Sequence, residues 1–318
     1  MTQRRPSVRL GIRNLRKAFL LARRARFWGG VALVSILLTA SGCAVRRTTR
    51  VHPSQLPSVA REASLAELVA KVNAQNEAIR TLVATVDLEP TAGSVYSGVI
   101  KEYRDVRGFI LLEKPAMIRL IGQAPIVRTN VFDMVSDGQE FRLYIPPKQK
   151  FIVGKTEFRR PAKNSLENLR PQHILDALLV PKMDSPHERY VLEEAEDGGR
   201  RYYVVTVLEL REDGEFSLKR KVWFDRSTLE VVRLQLYGPH GAYLEDVWYS
   251  SYEDYQTVRY PSRIEINRPV EDYRLSITMV KATFNQPIAP EKFELKKPAG
   301  AELVELGASR VPEVPRGQ

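Results

Sequence analysis

The 318-residue sequence predicts a mainly β fold with helices: a long antiparallel sheet with one apolar face, covered by two helices. Three patterns predict it. Between Leu82 and Phe284 apolar and polar residues alternate in short runs, interrupted by turn signals roughly every ten residues, as in an antiparallel meander. Ahead of that region lies one amphipathic segment with a helix start signal, and within it one short segment is bounded by prolines. A sheet with one apolar face must bury it, and these two segments are the covers the sequence provides.

The first cover opens on Ser64 with Glu67 three residues on, a capping box. Leu65, Leu68, Val69, Val72, Ile79 and Leu82 then recur at helical spacing, so the expected helix runs from Ser64 to Leu82. Roughly a dozen strands follow. Ser136-Asp137-Gly138 and Glu212-Asp213-Gly214 carry the Asp-Gly pairs of tight hairpins. Alternation is cleanest late in the chain. Val232, Leu234 and Leu236 share one face against Arg233 and Gln235, and Leu275, Ile277 and Met279 share one against Arg274, Ser276 and Thr278. Phe109-Ile110-Leu111-Leu112 is apolar on both sides, so its inward face is undecided. Pro161 to Pro181 breaks the β pattern, and within it Ile174, Leu175, Leu178 and Leu179 form a short helix between Pro171 and Pro181. Residues 297–318 are rich in Pro, Gly and Glu and read as a disordered tail.

The formal charge of +11 invites a nucleic-acid reading that its distribution does not support. Nine of the 49 basic residues lie between Arg4 and Arg26 with no acidic partner, leaving 40 against 38 acidic groups elsewhere. A basic stretch, an apolar run from Phe27 to Leu38, and Ala40-Ser41-Gly42 before a cysteine make a secretory signal over residues 1–42. The apolar run is shorter than the roughly 20 residues a spanning helix needs, so cleavage is favoured over an uncleaved membrane-anchoring helix. Cys43 is the sole cysteine, so no intramolecular disulfide is possible. Leu37 to Cys43 resembles the bacterial lipobox, which implies acylation of Cys43 and attachment to membrane lipid. Residues 43–62, with Arg46, Arg47 and Arg50, read as a lipidated N-terminus and tether, whose bases either touch anionic lipid or simply face solvent.

Chemistry is absent by every signature. His52, His173, His187 and His240 have no metal-ligand spacing, and there is no nucleophile elbow, P-loop or dinucleotide fingerprint. The acidic run Glu193 to Asp197 ending at Gly198-Gly199 reads as a solvated hairpin tip, and Gly238-Pro239-His240-Gly241 as a turn. The expectation is a protein that is not an enzyme and holds no cofactor or metal.

Glu113-Lys114-Pro115-Ala116-Met117-Ile118-Arg119-Leu120, then Val135-Ser136-Asp137-Gly138-Gln139 and Leu143-Tyr144-Ile145-Pro146, resemble the LolA/LolB family of periplasmic lipoprotein carriers and receptors. Asn285-Gln286-Pro287-Ile288 followed by Phe293 and the order helix, sheet, short helix, sheet are also similar, over residues 64–296. The resemblance implies an unclosed antiparallel β-barrel, a half-barrel, with an α-helical lid over an apolar cavity for acyl chains, within a domain of residues 63–296. The cavity would be lined by Ile118, Leu120, Phe132, Met134, Leu143, Val232, Leu234, Leu236, Leu275, Ile277 and Met279. The lid would present Leu65, Leu68, Val72, Ile174, Leu175 and Leu178, with Lys114 and Arg119 as lid or headgroup contacts. Lys114 stands where the soluble carriers place a lid-latching arginine, and an amine lacks the planar fork.

A lipid anchor favours the membrane-bound receptor type over a shuttling carrier, with a periplasmic carrier as a further partner. Gly122 to Val127 falls where receptors place a membrane-entering loop, and an ordinary strand connection is the other reading. Ala44 after the lipidated cysteine agrees with outer-membrane delivery under the sorting rule of enteric bacteria; inner-membrane anchoring stays open. The expected partners are lipid or lipoprotein acyl chains, with no nucleic acid, and the expected state is a monomer. A rival of another class is an adaptor lipoprotein with the same fold and a filled core that binds a protein partner.

Overall fold

A computed structural model describes residues 59–93, 101–102, 106–124, 128–156 and 170–306. The chain divides into residues 1–56 and 57–318, and every described residue belongs to the second unit. The signal segment, Cys43, most of the tether, Pro125 to Val127 of the expected membrane loop, and residues 307–318 lie outside the described residues. No helix of the described residues is long and apolar enough to cross a membrane.

Helix α1 spans Leu65–Glu77 and starts at the expected capping box, the Ser64 amide donating to Glu67 Oε2 at 2.7 Å and the Glu67 amide to Ser64 Oγ at 3.3 Å. It ends one turn earlier than its apolar spacing predicts. Ile79 and Leu82 are buried as expected, but from the connection and from the first strand, which extend the same apolar face. The stop comes from the far end of the chain. Asn285 donates to the Ala78 carbonyl at 2.7 Å and accepts from the Arg80 amide at 2.8 Å, which takes up backbone groups that a longer helix would have paired internally.

Seven strands follow: β1 (Thr81–Ala92), β2 (Lys101–Glu102), β3 (Val106–Glu113), β4 (Met117–Gln123), β5 (Asn130–Ser136), β6 (Glu140–Ile145) and β7 (Lys150–Lys155). Helix α2 (Pro171–Leu178) then leads to β8 (Glu188–Asp197), β9 (Arg200–Leu210), β10 (Phe216–Asp225), β11 (Val231–Tyr237), β12 (Tyr243–Tyr255), β13 (Val258–Arg268), β14 (Tyr273–Phe284) and β15 (Glu302–Leu306). All fifteen belong to one sheet, with β2 paired to β1 alone and the others in the order β15-β7-β6-β5-β4-β3-β1-β14-β13-β12-β11-β10-β9-β8. Every pairing is antiparallel except β15 with β7. The first half meanders outward from β1 to β7. The chain then passes through α2, re-enters at the opposite edge as β8, and returns strand by strand to β14 beside β1. Two end strands remain, so the sheet is unclosed, and α1 and α2 pack against one face of it.

The expected turns are present. Asp137-Gly138 joins β5 to β6, Asp213-Gly214 joins β9 to β10, and Gly198-Gly199 joins β8 to β9, with all three turn regions using glycine at positive φ. Inner-face alternation puts Ile110 and Leu112 of β3 and Ile118 and Leu120 of β4 in the core. Gly122 fits the same face because the Phe132 ring of the neighbouring strand occupies the space a Cβ would take, 2.3 Å from the nearest ring carbon.

Two outer-face patterns differ from the sequence reading. Phe109 to Leu112 is apolar on both sides because the outer face of the first half is itself covered: Phe293, Leu295 and Ala301 pack there on Val135 and Phe151, with Leu111 beside them. Residues 297–306 are accordingly not a disordered tail. They complete this outer layer and end as β15, with Leu303 opposite Phe151 of β7. Proline, glycine and glutamate suit such an extended strap as well as they suit disorder, so composition alone did not separate the two. On the second half, Gln235 is nearly buried rather than wet, held by Trp223 Nε1 donating to its Oε1 at 2.9 Å and by its own donation to Tyr243 Oη at 3.2 Å.

Candidate functional site

The inner face under the two helices is the candidate site, and the structure gathers most of the predicted residues there. Ile118, Leu120, Phe132, Met134, Leu143, Leu234, Leu275, Ile277 and Met279 are buried in one continuous apolar cluster, and Leu236 packs at its margin. Val232 is the exception. A register shift between β10 and β11 pairs Trp223 with Arg233 and Phe224 with Val231, so Val231 takes the inward place and Val232 falls in the bulge. From the helices, Leu68, Val72, Ile174, Leu175 and Leu178 are buried against the sheet, and Leu65 packs at the edge.

The helices are held by a small number of polar contacts. Asn73 exchanges two hydrogen bonds with the Met183 backbone, at 2.8 and 3.1 Å, and Asn76 donates to the Val180 carbonyl at 2.8 Å. Lys114 reaches the C-terminal end of α1, donating to the carbonyl of Asn76 and, at 2.8 Å, to its side-chain oxygen. The amine thus contacts the lid without a guanidinium fork, and burial lowers its pKa from the ordinary lysine value. Arg119 makes no hydrogen bond to α1 or α2. It lies on the outer face, doubly bonded to Asp133 at 2.8 and 3.0 Å, and donates to the Lys292 and Glu294 carbonyls of the C-terminal strap. Residue parity explains the difference, since Ile118 and Leu120 point inward and Arg119 therefore points out.

Helix α2 is anchored by two tyrosines. Tyr249 donates to the Ala177 carbonyl at 2.8 Å and Tyr260 to the Leu178 carbonyl at 2.7 Å, satisfying groups that a helix leaves unpaired at its C-terminal end. Burial raises both phenols well above the ordinary value, so they stay protonated donors. Between α1, α2 and the tyrosines 249, 252 and 260 only about 10 Å³ of open volume remains.

At one end of the inner face the apolar rows give way to a charged one. Leu236 faces Arg220 on one side and Glu245 on the other, and Arg268 faces Tyr273. Arg268 donates to Glu245 at 2.6 Å, to both oxygens of Glu271 at 2.8 and 3.1 Å, and to His173 Nε2 on α2 at 3.1 Å. Glu245 is fully buried, one of its oxygens has no partner, and burial pushes its carboxyl up to about 8 despite the arginine. Asp176 on α2 is likewise raised by burial. A second buried pair, Arg220 with Glu188 at 2.8 and 2.9 Å, also holds the Lys182 carbonyl after α2. His173 therefore belongs to a polar network, and among the described residues there is no cluster of three or more His, Cys, Asp or Glu side chains placed to hold a metal ion. The sequence signal for this belt was charge at inward parity: Glu245 shares a face with Val247, and Arg268 with Ile266 and Ile264.

No protein-family model matches the chain, and no curated protein matches it. Several solved structures are similar. A domain assigned to outer-membrane lipoprotein sorting from Vibrio parahaemolyticus aligns with a TM-score of 0.45 at 12% identity, over 71% of this chain and 94% of that one. A DUF1329 family protein from Desulfovibrio piger gives 0.47 at 14%, over 71% and 94%. A LolA-superfamily protein from Nitrosomonas europaea gives 0.44 at 12%, over 72% and 97%. Similarity of this extent identifies no function.

Proposed function

We propose that this protein is a membrane-anchored, non-enzymatic lipoprotein facing the periplasm that takes acyl chains of lipids or lipoproteins against its inner face, receiving them at the outer membrane as a monomer. The observation that carries the reading is the construction of that face. One apolar surface runs across both halves of the sheet, and α1 and α2 cover it through a few hydrogen bonds and an apolar stripe. A chain of about 16 carbons gains on the order of 10 kcal/mol at roughly 0.8 kcal/mol per methylene. That gain is of the same order as the burial of Leu68, Val72, Ile174, Leu175 and Leu178 under the helices, so a chain can displace them only by taking their place against the sheet while the helix stripe stays covered by the chain. Acylated Cys43 would place the domain at its source of ligand, with a periplasmic carrier as the delivering partner.

One observation favours the rival. The open volume of about 10 Å³ between α1, α2 and Tyr249, Tyr252 and Tyr260 is what a filled-core adaptor would show at that place. The two readings separate on one experiment. Protein produced without residues 1–43 is extracted with organic solvent for lipid mass spectrometry, then titrated with a fluorescent fatty acid. Co-purifying lipid or saturable micromolar binding is the expected result. Neither with fatty acid nor with phospholipid or lipopeptide would the adaptor bind, and that outcome would replace the proposal.

A further inference from the structure

The sheet presents an open edge at β8. This strand is ten residues long, pairs with β9 without a break in register, and is the end of the sheet on that side among the described residues. The Leu210 amide donates to the His187 carbonyl at 2.8 Å, so odd-numbered residues turn their backbone groups toward β9. Tyr190, Leu192, Glu194 and Glu196 then turn theirs outward. Proteins usually blunt such an edge with charged side chains, proline, a bulge or a very short strand. β8 contains neither proline nor bulge, and its charges are mostly of one sign, Glu188, Glu193, Glu194, Glu196 and Asp197 against Arg189. They oppose pairing with a second copy of the same acidic edge but not with a basic strand. The opposite end strand, β15, has only five residues.

Beside this edge runs a groove of about 620 Å³. The start of α1 walls one side with Glu62, Ala63, Ser64 and Glu67, and β8 walls the other with Leu192, Glu193 and Glu194. Tyr203 and Arg226 also line it, the guanidinium stacked 4.5 Å over the ring and bonded to Glu194 at 2.7 Å. The same guanidinium donates to Tyr203 Oη at 3.0 Å, which fixes the floor of the groove. A helix lying next to a free strand edge is the arrangement in which extended peptides bind by adding a strand. Of the four glutamates in the groove, Glu194 is paired with Arg226, Glu193 with Thr206 and Lys221, and Glu67 with the Ser64 cap, while Glu62 has no bonded cation among the described residues. Four carboxylates against the single arginine of the lining, continued by Glu196 and Asp197 along β8, leave a net acidic surface that sets the sign of the partner.

We propose that α1 and β8 form a docking groove for an extended, basic segment of a partner protein, which adds to the sheet at β8 and meets the glutamates with alternate lysine or arginine side chains. The test uses the full chain in non-ionic detergent and a fluorescent eight-residue peptide of alternating Lys and Thr, followed by anisotropy and by amide hydrogen exchange. Expected are saturable binding, new protection at the Leu192 and Glu194 amides, and a loss of about tenfold or more in affinity for the exposed double change Glu62→Lys with Glu193→Lys. Absence of binding, equal binding of the Glu/Thr counterpart, affinity unmoved by the double change, or protection that spares β8 would each overturn it.

Discussion

Arg268 donates to Glu245 across 2.6 Å at a place where the glutamate has no exposure to solvent and the arginine almost none. Burial raises the glutamate to about 8 and its free oxygen has no partner, so the carboxyl is mostly protonated at neutral pH. A carboxyl whose pKa is higher in the folded chain than in the unfolded one stabilises the fold fully below its unfolded value of about 4.3, and that contribution is lost as pH rises through 8. Glu245→Gln keeps the shape and removes the titration. It should match the parent in thermal stability near pH 5 and exceed it increasingly up to pH 8. A stability difference that is flat across that range in calorimetry would show that Glu245 is ionised throughout.

The tyrosine anchors predict how α2 is released. Tyr260→Phe leaves the Leu178 carbonyl buried without its donor, at a cost of about 1–3 kcal/mol. Tyr249→Phe does the same at Ala177. Amide exchange in α2 should quicken in each variant, and uptake of a fluorescent fatty acid should quicken with it. Exchange that rises while uptake stays unchanged would mean that chains enter without moving α2.

Lys114 predicts the same for α1. Lys114→Ala removes two hydrogen bonds from Asn76 at the end of that helix and should lower stability by about 1–2 kcal/mol in denaturant unfolding, with faster exchange confined to the last turn of α1. An unchanged midpoint would reduce the contact to a surface one.

The lipid anchor has its own test in cells. Cys43→Ala should abolish incorporation of radiolabelled fatty acid and release the protein from the membrane fraction or leave its signal uncut, because the chain contains no other cysteine to acylate. Label retained by the variant would remove the lipoprotein reading.

Fold class, both helices and most inward residues were legible because side-chain alternation has a fixed period of two and turns have fixed chemistry. Ile277 and Leu120 needed nothing more. What was illegible depends on pairing. The slip that exchanges Val231 for Val232 is a property of β10 against β11, and the early end of α1 is imposed by Asn285, 207 positions beyond the Ala78 carbonyl it holds. The charged belt was visible only as polar residues at inward positions, which read as interruptions until Arg268, Glu245 and His173 are brought together from three elements. The closeness of the packing under the helices is likewise set by three-dimensional fit, and no periodicity encodes it.

The C-terminal strap gives the last prediction. If residues 297–318 were only a tail, a chain ending at Gly300 would be as stable as the parent. In the structure that truncation removes buried Ala301 and β15, whose Val304 and Leu306 pack on the core and whose backbone pairs with β7 from Lys150 to Gly154. It should therefore lower stability by on the order of 2 kcal/mol and free the β7 edge. Phe293→Ala acts on the same layer without touching the sheet, taking a nearly buried ring from Val135 and Phe151. A loss of about 3 kcal/mol is expected there, at the lower end for buried phenylalanine, because one side of the layer lies near solvent. Arg119→Ala should add to the Phe293 effect by less than its own cost, since Arg119 holds the strap through the carbonyls of Lys292 and Glu294 on either side of that ring. Denaturant midpoints for the two single variants and the double variant measure this directly, and simple additivity would mean that the arginine serves Asp133 alone.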